Sequence, residues 1–198
     1  MITLNSQKEK IMYLFYENKM ARYHLREIAR KAKLNVNSAT RFLNQLEKSR
    51  LLISEKDGNL KKYRIIKNDT LANVFTSFDI ERLNKLNFNR KQGIDRFLES
   101  LDEKPVIAFL FGSTAKNTYT KESDIDILLI VNNKINLEKA EKETNAITGI
   151  KVNCFQIRYP EFLDELKLKN DRVVQSALNT GYPIFNQISF YKEYLNGN

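Results

Sequence analysis

The chain has 198 residues, of which 42% are hydrophobic and 29% are charged, and its formal net charge is +9. This composition is typical of a globular protein with one large or two small domains, and it excludes wholesale disorder. The single cysteine, Cys154, and the single histidine, His24, exclude an internal disulfide framework and a Cys/His zinc site within one chain.

Neither a targeting segment nor a membrane segment is predicted. The amino-terminal sequence MITLNSQKEKIMYLFYENK lacks the apolar core and the small-residue cleavage site of a signal peptide. No apolar run approaches the roughly 18 residues that are needed to span a bilayer. We therefore expect a soluble, cytoplasmic protein with no membrane partner.

The positive charge is concentrated in the first third of the chain. Residues 1–68 hold 16 Lys and Arg against 6 Asp and Glu, a net charge of +10, whereas the remaining residues have a net charge of −1. This asymmetry is typical of a segment that meets a polyanion, although a lysine-rich soluble surface would give the same count.

Three helices and a hairpin are predicted over the same residues. Ser6 is the expected N-cap of the first helix, and Asn35 or Asn37 is expected to cap the third. Two strands around Asp57-Gly58 form the hairpin. Apolar residues at helical spacing mark the three helices, namely Ile11, Leu14 and Phe15, then Leu25, Ile28 and Ala29, then Phe42, Leu43 and Leu46.

This order of elements, with HLREIARKAKLNVNSATRFLNQLEKSRLL at its centre, resembles a winged helix-turn-helix over residues 5–67. The resemblance implies that a recognition helix from about Val36 to Lys48 enters the major groove of double-stranded DNA. Base-edge contacts would come from Asn37, Ser38, Thr40, Arg41, Asn44 and Gln45. Phosphate contacts would come from Lys56, Lys61, Lys62 and Arg64. Winged helices also serve as protein-interaction modules, but the net charge favours DNA. A homodimer that meets two half-sites is expected.

Residues 69–104 form a helical connection. Apolar residues recur with helical rhythm in TLANVFTSFDIERLNKLNF and again in RKQGIDRFLESLDEKP. We predict three parts: a winged helix domain at residues 1–68, a helical connector at 69–89 and a second domain at 90–198.

The second domain contains an unusual pair of carboxylates. VIAFLFGS is a buried strand that ends at Gly112-Ser113, and DIDILLIV is a second strand. Residues two apart on a strand point the same way, so Asp124 and Asp126 are predicted to project together, as a hard divalent cation requires. The glycine allows backbone N–H groups to approach a phosphate. A solvated edge strand is the alternative explanation.

Gly112-Ser113, ten residues and Asp124-Ile125-Asp126 resemble the signature of polymerase-beta-type nucleotidyltransferases, and most of all the minimal nucleotidyltransferases. The likeness runs from about Arg90 to Phe185, where GYPIF is similar to the closing strand of the family. It implies a small mixed sheet with flanking helices, so the fold class is mixed α+β.

The resemblance also implies roles for individual residues. Gly112 and Ser113 would hold the β- and γ-phosphates of ATP or another nucleoside triphosphate. Asp124 and Asp126 would be the catalytic residues and would bind Mg²⁺ or Mn²⁺. Lys116 would neutralise phosphate charge, unless it is an ordinary surface lysine.

The pattern departs from the family at one position. Active members carry a third carboxylate on a later strand, which here is GIKVNCFQIRYPEF, and the corresponding residue is Asn153. An asparagine can offer a metal a neutral oxygen but cannot act as a general base at neutral pH. Three carboxylates follow on a predicted helix, namely Glu161, Asp164 and Glu165. One of them could replace the third carboxylate only if the fold places it near Asp124 and Asp126.

Two functions are consistent with the sequence. In the first, an enzyme transfers a nucleotidyl group from Mg-ATP to a hydroxyl acceptor, which could be a partner protein, since the minimal nucleotidyltransferases include antitoxins that nucleotidylate a toxin. In the second, a transcriptional regulator binds nucleotide or a partner without catalysis. The intact Asp124 and Asp126 favour the first, and Asn153 favours the second. A pure interaction protein would require both motifs to be vestigial.

Overall fold

The computed structural model describes residues 4–196, which divide into two compact units. The first unit ends at Phe75 and the second begins at Thr76. The boundary falls within a helix, α4 (Asp69–Asn84).

The amino-terminal unit has the element order of a winged helix-turn-helix. Its sheet has the order β1-β3-β2, with every pair antiparallel. The side chains of Ile11, Phe15, Ile28 and Leu43 are completely buried in its core. Its elements are α1 (Ser6–Glu17), β1 (Tyr23–His24), α2 (Leu25–Lys31), α3 (Val36–Lys48), β2 (Leu52–Asp57) and β3 (Leu60–Ile65).

Polar side chains cap all three helices of this unit before α4. The side chains of Asn5, His24 and Asn35 each accept the backbone N–H of the third helical residue that follows. The prediction of Ser6 as the first cap was wrong, because the helix begins at Ser6 and Asn5 supplies the oxygen. Each such cap stabilises its helix by about 1 kcal/mol.

The wing is the predicted hairpin. Asp57 pairs with Leu60, so the turn consists of Gly58 and Asn59. Gly58 has a φ of +59°, a left-handed conformation that favours glycine.

The second unit is built on a mixed four-stranded sheet in the order β6-β5-β4-β7. The strand β4 is antiparallel to β5 and β7, while β5 and β6 are parallel and are joined through α7. Its elements are α5 (Phe88–Glu99), β4 (Ile107–Phe111), α6 (Gly112–Lys116), β5 (Ile125–Val131), α7 (Glu138–Thr148), β6 (Val152–Arg158), α8 (Tyr159–Leu168), α9 (Arg172–Thr180), β7 (Tyr182–Phe185) and α10 (Gln187–Asn196).

Helices cover both faces of this sheet, which explains why β4 is apolar at every position. On one face Ile94 and Phe97 of α5 pack against alternate residues of β5. On the other face the ring of Phe109 contacts Phe162 of α8 and Phe190 of α10, with ring centroids 6.3 and 4.7 Å apart. Burial of each such side chain stabilises the fold by about 1.5–3 kcal/mol.

No helix in the described part of the chain is both long enough and apolar enough to cross a membrane.

Candidate functional site

The glycine–serine turn and the second aspartate lie in direct contact. Phe111 at the end of β4 pairs with Asp126 of β5, so Gly112 follows at the same level. Gly112 has a φ of +68°, and a Cβ built there would lie 2.1 Å from Asp126 Oδ2. A side chain at this position would collide with the carboxylate unless Asp126 shifted, and the positive φ independently favours glycine. Two segments that lie 14 residues apart in the sequence therefore form one site.

Asp126 also contacts Asn153 on the other side. The two residues are paired in the parallel register of β5 and β6. The side-chain amide of Asn153 donates to Asp126 Oδ1 across 3.2 Å. That Asn153 replaces a third carboxylate of the family stays a prediction from the sequence.

Asp124 lies one residue before β5, not within it as predicted. Its carbonyl accepts hydrogen bonds from the Arg90 guanidinium across 3.3 Å and from the Thr114 hydroxyl across 3.4 Å. The Asp124 side chain is 40% exposed, and Lys151 Nζ approaches its Oδ2 to 3.8 Å. A solvent-screened ion pair of this kind contributes little to the stability of the fold, so the Asp124 carboxylate is available to a ligand.

The remaining residues of the turn differ in exposure. Ser113 is half-buried, and Lys116 is exposed at the last position of α6. After Lys116 the chain turns at Asn117, which has a φ of +56°.

Two of the three carboxylates that follow β6 accept hydrogen bonds from backbone N–H groups. Glu161 accepts the backbone N–H of Arg158, and Glu165 accepts the backbone N–H groups of Asn170 and Asp171. Both therefore stabilise the ends of α8. Among the residues that the structure describes, no three His, Cys, Asp or Glu side chains are grouped to hold a metal.

A cavity of about 480 Å³ lies along the same sheet face. Leu128 of β5 and Phe155 of β6 line this cavity. Each lies two residues after a site residue on its strand, Leu128 after Asp126 and Phe155 after Asn153, so all four side chains are on the same face of the sheet. Glu161, Asp164 and Glu165 line its wall. This volume is within the range of ligand-binding pockets.

Most of the predicted base-reading residues lie on the open side of α3. Ser38 and Thr40 are half-buried, and the Thr40 hydroxyl donates to the carbonyl of Val36 across 2.9 Å. The exposed residues are Asn37, Arg41, Asn44 and Gln45.

Three of the four predicted phosphate-binding cations of the wing are paired with carboxylates. Lys61 Nζ lies 3.1 Å from Glu47 Oε2, and Lys62 Nζ lies 2.6 Å from Asp57 Oδ2. Arg64 Nε donates to Glu55 Oε1 across 2.8 Å. The fourth, Lys56, forms no ion pair with any residue that the structure describes.

These pairs keep two of the carboxylates charged. The hydrogen bond from Arg64 lowers the pKa of Glu55, and the hydrogen bond from Lys62 lowers the pKa of Asp57. An anion that binds these cations must therefore compete with carboxylates that remain ionised at neutral pH.

A comparison with models of protein families decides the nature of the second unit. Residues 93–179 match the nucleotidyltransferase domain. The chain carries a nucleotidyltransferase domain. The match includes the glycine–serine turn, both aspartates and Asn153. No curated protein matches the chain.

Solved structures are similar to the amino-terminal part. The homodimeric winged helix-turn-helix DNA-binding domain Mb0332 from Mycobacterium bovis is 20% identical over 42% of this chain and 73% of its own, with a TM-score of 0.34. Lactococcus lactis ZitR, solved in complex with DNA, is 22% identical over 50% of this chain and 73% of its own, with a TM-score of 0.32. The amino-terminal unit is a winged helix-turn-helix, and its own strand order carries that assignment.

The residues at the site of the nucleotidyltransferase domain fit a hard divalent cation. Carboxylate oxygens from Asp124 and Asp126 and the amide oxygen of Asn153 are the donor type that Mg²⁺ prefers. Magnesium is usually bound by one or two carboxylates together with substrate phosphates, so a third acidic ligand is not required. The glycine beside Asp126 leaves the space that a Cβ would fill.

Arg90, which is only 3% exposed, was not among the predicted site residues. Its guanidinium reaches the segment that carries Asp124 and lies 4.0 Å above the Tyr119 ring. A signal for it exists in the sequence, because Arg90, Ile94, Phe97 and Leu101 follow helical spacing and place the arginine on the buried face of α5.

Cys154 belongs to the core and not to the chemistry of the nucleotidyltransferase domain. It packs against the apolar cluster under the sheet. Burial raises the pKa of its thiol to about 12, so it is not a thiolate nucleophile at neutral pH.

Proposed function

We propose that the protein binds double-stranded DNA through its winged helix and binds a Mg²⁺–nucleoside triphosphate, ATP, in its nucleotidyltransferase domain, from which it transfers a nucleotidyl group to a hydroxyl acceptor. One observation carries the nucleotide site: Gly112 lies against the carboxylate of Asp126 with no room for a side chain. A phosphate-binding turn and a metal-binding carboxylate are thereby held side by side. We expect the protein to act in the cytoplasm.

Each residue of the site has a role in the transfer. Backbone groups at Gly112 and Ser113 bind the β- and γ-phosphates, and Lys116 lies close along the chain to balance their charge. Asp124 and Asp126 are the metal ligands. A bound Mg²⁺ ion neutralises the triphosphate and stabilises the leaving pyrophosphate. The cavity floored by Leu128 and Phe155 has the volume to take a nucleoside.

The reaction breaks a phosphoanhydride linkage of the nucleotide and forms a phosphoester. The acceptor hydroxyl oxygen forms a bond to the α-phosphorus, and the bond from that phosphorus to the bridging oxygen breaks. Pyrophosphate leaves with the electron pair. The acceptor proton passes to solvent, because Asn153 cannot take it. General-base catalysis usually contributes 10²- to 10⁴-fold, so we expect transfer to be slow rather than absent.

A hydroxyl of a protein side chain is the acceptor that we favour, as the likeness to antitoxin-type minimal nucleotidyltransferases implies. The winged helix would place the enzyme on DNA through the exposed face of α3 and the basic wing. Two copies would meet two half-sites as a homodimer.

A second function is favoured by the hydrogen bond from Asn153 to Asp126. In this alternative the protein is a transcriptional regulator whose nucleotidyltransferase domain binds nucleotide or a partner without turnover. The two functions share the metal–nucleotide site and differ only in group transfer.

Transfer of label from α-labelled ATP separates the two. The purified protein is incubated with Mg²⁺ and an extract of its own cells, and Asp124→Ala serves as the inactive control. Label that moves onto a macromolecule with the wild type alone supports the enzyme. Mg²⁺-dependent ATP binding that requires Asp124, without any transfer, supports the regulator. Transfer that is equal in both proteins contradicts the proposed site.

A further inference from the structure

A buried arginine joins the two halves of the nucleotide site. The Arg90 guanidinium donates to the carbonyls of Thr120, Ser123 and Asp124, across 2.9, 2.8 and 3.3 Å. All three acceptors lie in the segment that leads from the turn after α6 into β5. The guanidinium therefore fixes the backbone that carries the first metal-binding carboxylate.

The same guanidinium also holds the glycine–serine side of the site. It donates to Thr114 Oγ1 across 2.8 Å, and the Thr114 side chain is completely buried. Thr114 lies one residue after Ser113 on α6. One side chain thus connects the phosphate-binding turn to the segment that bears Asp124.

This arrangement is costly if it serves stability alone. Arg90 forms no ion pair with any described residue, and all four of its hydrogen-bond acceptors are neutral oxygens. Burial lowers the pKa of the guanidinium, while Tyr119 and the carboxylates of Asp124 and Asp126 raise it. An arginine remains protonated at neutral pH, so a positive charge that no direct ion pair neutralises is buried beside the proposed nucleotide site.

We propose that Arg90 is a positioning residue that holds Asp124 and the Gly112-Ser113 turn in the arrangement that a Mg²⁺–nucleotide requires. It lies outside the residues 93–179 that match the nucleotidyltransferase domain, so α5 supplies part of the site's support from beyond that match. This inference rests on the proposed nucleotide site.

The test measures Mg²⁺-dependent ATP binding in two Arg90 variants. Arg90→Gln removes the charge and most of the donors, and Arg90→Lys keeps the charge but cannot reach all four acceptors. Arg96→Gln is the matched control, because Arg96 lies on the same helix, its side chain is 40% exposed, and it pairs with Glu143 across 2.6 Å. The thermal midpoint of each variant is measured in parallel.

A positioning role predicts a specific pattern. The Mg²⁺ concentration that gives half-maximal ATP binding should rise at least tenfold in Arg90→Gln and less in Arg90→Lys, while saturating Mg²⁺ restores the stoichiometry of binding. Arg96→Gln should bind as the wild type does. If Arg90→Gln does not fold, Arg90→Lys and Thr114→Val provide the test instead. In each of them the Mg²⁺ concentration for half-maximal ATP binding should rise severalfold.

Three results would overturn the inference. A folded Arg90→Gln variant whose half-maximal Mg²⁺ concentration stays within twofold of the wild type shows that Arg90 is structural only, and the proposed function stands. An equal rise in Arg96→Gln shows a general effect of destabilisation. A wild-type protein that binds no ATP with Mg²⁺ removes the proposed function and this inference with it.

Discussion

The side-chain amide of Asn153 donates to the carboxylate of Asp126 across 3.2 Å, from the neighbouring position of a parallel strand pair. A neutral donor therefore lies beside Asp126, at the residue that we predict to replace the third carboxylate of the family. The amide contacts Asp126 without adding negative charge. As a neutral amide, Asn153 itself cannot accept the proton of an attacking hydroxyl.

Asn153→Asp should restore the missing base. In the proposed enzyme the variant should transfer nucleotide about 10²- to 10⁴-fold faster than the wild type, the usual contribution of a general base. Without metal the variant should be less stable, because two carboxylates would face each other, and Mg²⁺ should reverse that loss. Initial rates of label transfer and denaturant unfolding with and without Mg²⁺ measure both effects.

Asn153→Ala is the control for that experiment, since it removes the amide without adding a charge. It should show neither the gain in rate nor the Mg²⁺-reversible loss of stability. Equal rates for the wild type and Asn153→Asp would exclude a missing base as the limit on transfer.

Gly112→Ala should disable the nucleotide site. The new methyl group would meet Asp126 Oδ2 at 2.1 Å, and a φ of +68° strains any L-residue. Gly149→Ala isolates the backbone strain from the collision, because Gly149 has a φ of +67° and no atom lies within 4 Å of its added Cβ. Each backbone strain costs about 1–2 kcal/mol.

Gly112→Ala should therefore lose ATP binding and should unfold more easily than Gly149→Ala, which should retain binding. Denaturant unfolding and ATP titration measure the two properties. Retained ATP binding in Gly112→Ala would show that the turn can move away from Asp126 and would contradict the contact as the basis of the site.

The carboxylates of the wing should weaken DNA binding. Glu55 and Asp57 pair with Arg64 and Lys62, so DNA phosphates must displace them. Glu55→Gln with Asp57→Asn should raise affinity and steepen its dependence on salt, because about 0.9 counterions are released for each phosphate neutralised. Binding to duplex DNA at several salt concentrations measures the slope.

Glu9→Gln, an exposed change on α1, is the control for charge alone and should have a smaller effect. A slope that does not change in the double variant would show that Lys62 and Arg64 do not reach phosphates.

Much of the fold could be predicted because it is specified locally. Alternating or continuous apolar runs predicted β4 and β5, helical spacing predicted α1 to α3 and α5, and Gly58 predicted the wing. The correspondence of Asn153 with a third carboxylate came from the family resemblance and stays a prediction, whereas the pairing of Asn153 with Asp126 is visible only in the structure.

What the sequence did not reveal depends on long-range contacts. Arg90 contacts residues 24 to 34 positions away, and Gly112 meets a carboxylate 14 positions away. The ion pairs of the wing depend on which side chains face each other across β2 and β3. Local periodicity carries no information on such partners, so the contacts that hold the site together could be identified only from the structure.

Cys154 should react slowly while the protein is folded. Its pKa of about 12 means that at pH 8 about one molecule in 10⁴ carries the thiolate, against about a quarter for an ordinary thiol of pKa 8.5. The folded pKa lies above the unfolded value, so the contribution to stability is complete below about pH 8.5 and is lost as the pH rises toward 12.

Alkylation by iodoacetamide at pH 8 measures this directly. The folded protein should react on the order of 10³-fold more slowly than the same protein in urea. Comparable rates in the two states would contradict the burial of the thiol under the sheet.

The central claim is that Gly112, Asp124 and Asp126 form a Mg²⁺-dependent nucleotide site. Titration with a non-hydrolysable ATP analogue, with and without Mg²⁺, tests it most directly in the wild type, in Asp124→Asn with Asp126→Asn, and in Asp102→Asn, an exposed aspartate of the same unit. We expect saturable binding that requires Mg²⁺, persists in Asp102→Asn and weakens at least 100-fold in the double variant. Binding that needs no Mg²⁺, or that survives in the double variant, would contradict it.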